Sequence, residues 1–211
     1  MIYTALPFFL TYLNEIYALP VLAVSIFGIA STSGGRIAIA LPSGFIAQRF
    51  FGGPTGGMGF GMTLVALLAL SMMALPIGPT TMWPAMALML LITFTVFFMR
   101  PLYFAPFGEM GLPPRFSGSV IAIAAFIIYL PTSFAYLLWG VLLDNNEGAT
   151  GYRYLFALMA VVAVVGWFLA RSLNQRIRSG AAERIGEKIQ AMDTELGLQG
   201  EEKTLIQLID K

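Results

Sequence analysis

The chain has 211 residues, 58% of them hydrophobic and 11% charged, with a formal net charge of +1 and neither histidine nor cysteine. Soluble domains carry about 25% charged residues, so this composition, with a mean hydropathy of +0.80, lies outside the soluble class. The missing cysteines exclude disulfides and thiolate metal sites, the missing histidines remove the commonest general base and metal ligand, and no basic patch outside the tail offers nucleic acid a surface.

Charge is unevenly spread along the chain. The first 170 positions hold only Arg36, Arg49, Arg100, Arg115 and Arg153 with Glu15, Glu109, Asp144 and Glu147. Apolar runs of ~18 or more residues between such sparse charges read as transmembrane helices. Barrel strands do not fit, because the runs are long and lack alternation. Six spans are expected. They run from about Ile2 to Tyr17, Pro20 to Arg49, Gly56 to Leu75, Met82 to Ala105, Phe116 to Leu143 and Tyr152 to Arg171. A Pro76-Ile77-Gly78-Pro79 turn separates the third from the fourth, and a loop with Pro106, Gly108, Gly111, Pro113 and Pro114 follows the fourth.

The first span is short: its ~16 residues rise about 24 Å, against a hydrocarbon core of ~30 Å. It also lacks a basic lead-in, so Met1 reads as an internal or artificial start of something longer. Six spans place both ends on one side. One face collects Arg49, Arg115, Arg171, Arg176 and Arg178; the other holds Arg153 with Glu15, Asp144 and Glu147. Positive-inside counting makes the first face, and both termini, cytoplasmic. Residues 1–171 thus form a membrane bundle and 172–211 a charged cytoplasmic tail. In the tail, Arg176, Arg178, Glu183, Arg184, Glu187 and Lys188 alternate in sign around Ile177, Ile185, Ile189 and Met192, the pattern of a solvated, mildly amphipathic helix.

Two stretches resemble one family. Gly44-Phe-Ile-Ala-Gln-Arg-Phe-Phe-Gly52, at the end of the second span, resembles the Gly-x-x-Ala-Asp-Arg-x-Gly loop of the major facilitator superfamily. Gly44, Ala47 and Arg49 match; Gln48 stands where Asp is usual and Phe51 where Gly is usual. Tyr129-Leu-Pro-Thr-Ser-Phe-Ala-Tyr-Leu-Leu-Trp-Gly140-Val-Leu-Leu-Asp144 resembles the eleventh helix of such carriers, where Tyr-x-Pro precedes Gly-x-x-x-Asp; Thr132 replaces the acid of some relatives. The resemblance covers about residues 1–171 and makes the six spans equivalent to helices seven to twelve. It implies an all-α fold, the C-terminal six-helix half of a secondary transporter whose substrate sits at midplane between two halves. Gly44, Gln48 and Arg49 would then form the gating loop. A missing N-terminal half, or a second copy, would complete the carrier in the inner or plasma membrane.

Arg36 is the most informative residue. It lies about 20 Å along a helix from Arg49, near midplane, where an uncompensated Arg costs at least ~2.5–3.5 kcal/mol. No acid of this chain is expected at that depth, so a substrate, the absent half or cavity water must compensate it. A substrate-site role and a structural ion pair both remain open for it. Arg100 lies about 12 Å before Gly108 and can bind substrate, snorkel to the interface or pair with Glu109. Tyr12, Asn14, Tyr129, Thr132 and Tyr136 are candidate polar groups of a cavity wall. Tyr3, Tyr17, Trp83 and Tyr152 read as interfacial belt residues. The glycine run from Gly52 to Gly61 is no phosphate loop, since Met58 stands where Lys is needed; Gly57 and Gly61 have helix-packing spacing instead.

These readings point to alternating-access transport of a small solute, an organic anion by the character of Arg36, with the lipid bilayer as surroundings and no cofactor. A non-transporting membrane scaffold or assembly subunit is the alternative. An intramembrane enzyme does not fit, because no base or metal set is present away from the span ends.

Overall fold

The computed structural model describes residues 2–105, 114–146, 148–180, 184, 187, 188, 191 and 192. The loop after the fourth span, with Glu109 and Gly111, and most of the charged tail lie outside the described residues, as does Glu147.

Among the described residues the regular elements are all helices, without a strand. The first helix, α1, spans Ile2–Tyr17, the range its hydropathy dictates. Next, α2 (Val21–Ile29) passes into two π-helical turns, Ala30–Gly34 and Arg36–Ala40. A turn at Leu41 and Pro42 leads into α3 (Ser43–Phe51). The continuous second span expected from hydropathy is therefore broken, and the residues supply the reason. Ser31 and Thr32 both donate to the carbonyl of Gly28, at 3.2 and 2.6 Å, which competes with the backbone ladder. Gly34 and Gly35 add low helix propensity, and Pro42 has no N–H with which to continue the ladder.

The chain reverses at Gly52 and Gly53, whose φ values of 68° and 130° suit glycine alone. From there α4 runs Pro54–Ala74, a 3-10 turn covers Pro79–Thr81, and α5 runs Met82–Met99. Another 3-10 turn, Arg100–Tyr103, follows Met99 directly. The last two helices are α6 (Pro114–Asp144) and α7 (Ala149–Arg178). The last helix, α7, continues through Ser172. It stops at Ser179 and Gly180, the latter at φ 69°.

Among the described residues, five helical stretches are long and apolar enough to cross a membrane: Val21–Ala40, Pro54–Ala74, Pro79–Tyr103, Gly118–Asp144 and Ala149–Ile177. The chain is an all-helical, multi-pass membrane protein. The first helix, α1, falls short of that length, yet it is deeply packed, with Ala5 and Leu13 fully buried and contacts to α2, α5, α6 and α7.

The most extensive pairing is between α4 and α7. It is antiparallel: Gly59 sits level with Ala170, and Gly166 against Met62. Small residues let such helices approach closely. Gly57 packs against α3 in the same way, since a Cβ there would lie 2.9 Å from the Cβ of Ala47 and 3.1 Å from Leu102. Replacing Gly57 with Leu forces α3 away from α4. A loss of roughly 1–3 kcal/mol is expected from such overpacking, read as a lower thermal unfolding midpoint in detergent beside an unaffected Gly44→Ala control, whose Cβ meets nothing within 4 Å.

Bundle ends follow from these pairings. Arg49, Arg171 and Arg176 share one end, while Glu15, Asp144 and Arg153 share the other, where the hydroxyl of Tyr152 donates to Glu15 at 2.7 Å. A cysteine replacing exposed Gln48 should label from the side opposite to one replacing Ala149. Labelling of both from one side would contradict a bundle in which α4, α5 and α6 each cross once.

Candidate functional site

The two arginines expected within the spans, both exposed, meet on Tyr3. Arg36, in the second π turn, donates from Nη2 to the hydroxyl of Tyr3 at 3.2 Å. Arg100, in the 3-10 turn after α5, stacks its guanidinium over the ring of the same Tyr3, with Cζ 4.5 Å from the centroid. Phe97 completes the group. Its ring lies 5.6 Å from the Cζ of Arg36 and meets Tyr3 edge-on at 6.2 Å. Tyr3 therefore accepts from one cation and faces another with its π cloud, an arrangement favoured by both the hydroxyl lone pairs and the ring quadrupole.

Three elements position this cluster. The first turn of α1 carries Tyr3, the last turn of α5 carries Phe97, and Gly35 lets the π segment lie against α5. A Cβ on Gly35 would come within 2.8 Å of Phe97 and 3.1 Å of Phe94. The guanidinium of Arg36 is thus level with the first turn of α1 and the last turns of α5, on the basic-end side of the bundle's middle. Among the described residues no carboxylate contacts Arg36 or Arg100. Two positive charges therefore share a partly apolar site without an acid. Such a site attracts an anion, and Arg forks are suited to carboxylate or phosphate oxygens.

A pocket of about 160 Å³ adjoins the cluster, walled by Tyr3 with Leu6, Leu10 and Phe27 and carrying the polar groups of Ser31, Thr32, Thr93 and Tyr136. That volume admits a ring-sized solute. Ser31, Thr32 and Thr93 hold their hydroxyl protons on backbone carbonyls, leaving oxygen lone pairs toward the pocket. Its apolar wall with a few polar groups is the usual make-up of a small-molecule site.

The other expected cavity residues fall in different places. Tyr12 is 4% exposed and locked in an aromatic cluster with Tyr17, Tyr152 and Phe156. Asn14 donates to the carbonyl of Leu19 at 2.9 Å and holds the α1–α2 turn. Tyr129 and Thr132 share the Tyr136 face of α6 by helical spacing, but only Tyr136 lines the pocket. Gly44, Gln48 and Arg49 lie exposed on α3 at the basic end. Of the belt candidates, Tyr17 bonds to Thr81 at 3.3 Å, Trp83 is exposed and Tyr152 is buried. Tyr3 was missed because its position near the chain start imitates an interface residue. Ser31 and Thr32 carried a readable signal: polar side chains inside an apolar span, one turn before Arg36.

Among the described residues no cluster of acidic side chains could hold a metal ion. No protein-family profile matches the chain, and no solved structure matches it. The chain is 29% identical over 184 residues to Inner membrane protein YihN of Escherichia coli K12, an alignment covering 87% of this chain and 44% of that protein. It is also 29% identical over 181 residues to Inner membrane protein YqcE of the same organism, covering 84% of this chain and 42% of that protein. The chain thus spans less than half the length of these curated relatives, and what it resembles in them is a multi-helix inner membrane protein.

Proposed function

We propose that this chain is one half of a major-facilitator-type secondary transporter of the inner membrane, moving a small organic anion by alternating access. The observation that carries this reading is the Arg36–Tyr3–Arg100 cluster beside the pocket. Two guanidiniums without a carboxylate among the described residues bind an anion more readily than they stabilise a fold. The six helices α1, α2–α3, α4, α5, α6 and α7 serve as the half-bundle. The broken α2 segment next to Arg36 fits the discontinuous helices that build transporter sites, and π turns gather at functional positions. The complementary half, or a second copy, closes the site across the open faces of α2 and α6, where Ile26, Ile29, Phe126, Phe134 and Leu137 stand exposed. Gly44, Gln48 and Arg49 form the loop that gates the basic end, with both termini on the cytoplasmic side.

Uptake of labelled organic anions into proteoliposomes holding the complete carrier tests this reading. Saturable uptake that competing anions block, and neutral sugars leave unchanged, is the expected result. A folded carrier that moves no anion, or moves neutral solutes equally well, overturns it and returns the chain to the scaffold class.

A further inference from the structure

A second concave site lies away from the Tyr3 cluster, at the basic end of the α4–α7 pair. Its lining includes Thr55, Gly59 and Thr63 of α4 with Trp167, Arg171 and Asn174 of α7, around about 230 Å³. We propose that this groove holds the phosphate of an anionic phospholipid headgroup, a role independent of whether the chain transports.

Depth is the first argument. Arg171 lies 22 residues after Ala149, where α7 begins, a rise of about 33 Å. That places its guanidinium at headgroup level when Ala149 lies at the opposite surface. Chemistry is the second. Arg171 stacks on Trp167 with Cζ 5.5 Å from the ring, which orients the fork while leaving its N–H edges free for phosphate oxygens. Asn174 stands one helical turn further on the same side of α7 and adds an amide donor. Among the described residues no carboxylate contacts Arg171, so the counter-charge must come from outside them.

The surroundings favour a lipid over a soluble anion. The groove opens on the flank of two membrane-crossing helices, and Phe60 and Trp167 form part of its wall. Phe60 and the neighbouring Phe168 and Leu169 are exposed, an apolar rim on which acyl chains can lie below a bound phosphate. Trp beside Arg at this depth is the side-chain set found at membrane interfaces. Finally, the floor is open: a Cβ on Gly59 would meet only Ala170, at 3.9 Å. A Cβ there is accommodated without displacing a helix, and a side chain built on it projects from the groove's own lining.

The test uses the full chain in phosphatidylcholine vesicles containing roughly one quarter phosphatidylglycerol, an anionic fraction that gives a negative surface potential. A photoactivatable phosphatidylglycerol should label the peptide containing Trp167 to Asn174, and the matching phosphatidylcholine probe should label it far less. Arg171→Ala should lower the phosphatidylglycerol signal about tenfold, the scale of losing a charge-assisted bond. Arg171→Lys should retain part of it. Gly59→Leu should abolish it by occupancy, with α4 and α7 still protected from proteolysis. Suppression by millimolar inorganic phosphate would assign the groove to a soluble anion and overturn the lipid. Equal labelling by both probes, or labelling indifferent to Arg171→Ala and Gly59→Leu, would overturn the site.

Discussion

Arg36→Lys in the complete carrier should reduce anion uptake steeply while membrane abundance stays near normal. Lysine keeps the charge but loses the planar fork, and with it the geometry that lets one side chain donate to Tyr3 at 3.2 Å and to a ligand together. Hydrogen bonds to charged groups contribute roughly 1.5–3 kcal/mol each, so the loss of one lowers apparent affinity about tenfold or more. Arg36→Ala should abolish uptake. Tyr3→Phe separates the cluster's two contacts: it removes the acceptor for Arg36 and keeps the ring under Arg100. A smaller loss of affinity, with the maximal rate nearly unchanged, is expected from it. A purely structural role for Arg36 would give another pattern, in which Lys serves as well as Arg and Ala lowers abundance. Uptake and membrane abundance, measured together for the three variants, distinguish the two. Normal transport by the Lys variant would remove Arg36 from the substrate site.

Trp139→Ala should be the most destabilising single change in the bundle. Trp139 is fully buried on α6, a helix most of whose apolar side chains are exposed. Its Nε1 donates to the hydroxyl of Thr4 at 2.8 Å, fastening α6 to α1 across 135 residues of sequence. Truncation of a buried Trp costs about 3–5 kcal/mol. Because Ala135 is the only other fully buried residue of α6 among those described, α6 has little else holding it. Early proteolysis within α6 and a sharp fall in membrane abundance are therefore expected. Trp139→Phe should keep most of the packing and lose the hydrogen bond, a cost of about 1 kcal/mol. If both variants behaved alike, the hydrogen bond rather than the ring volume would be the anchor.

Much of the architecture was legible in the residues. The sparse charges delimit helices directly, because a charge inside hydrocarbon is costly wherever it lies along the chain. Accordingly α1 and α4 start and stop within a few residues of the apolar runs, and α5 starts where its run does. The four-residue spacing of Gly57 and Gly61 announced close packing, and both face neighbours a Cβ would crowd. Arg36 stood out in the sequence by its expected depth alone; its neighbours Tyr3 and Phe97 did not. What hydropathy could not reveal is the break in the second span, because π turns at Ala30–Gly34 and Arg36–Ala40 keep every residue as apolar as an α-helix would. Nor could it join Tyr3, Arg36 and Arg100. Those residues lie far apart in sequence, and they meet only because Gly35 admits Phe97 and Phe94 at close range and α1 packs between α2 and α5. The sequence by itself determined which segments enter the membrane, through the energetics of single residues in lipid. Which polar groups share a site was decided only in the tertiary structure, because helix-to-helix contact depends on the volumes and facing of side chains from several segments at once.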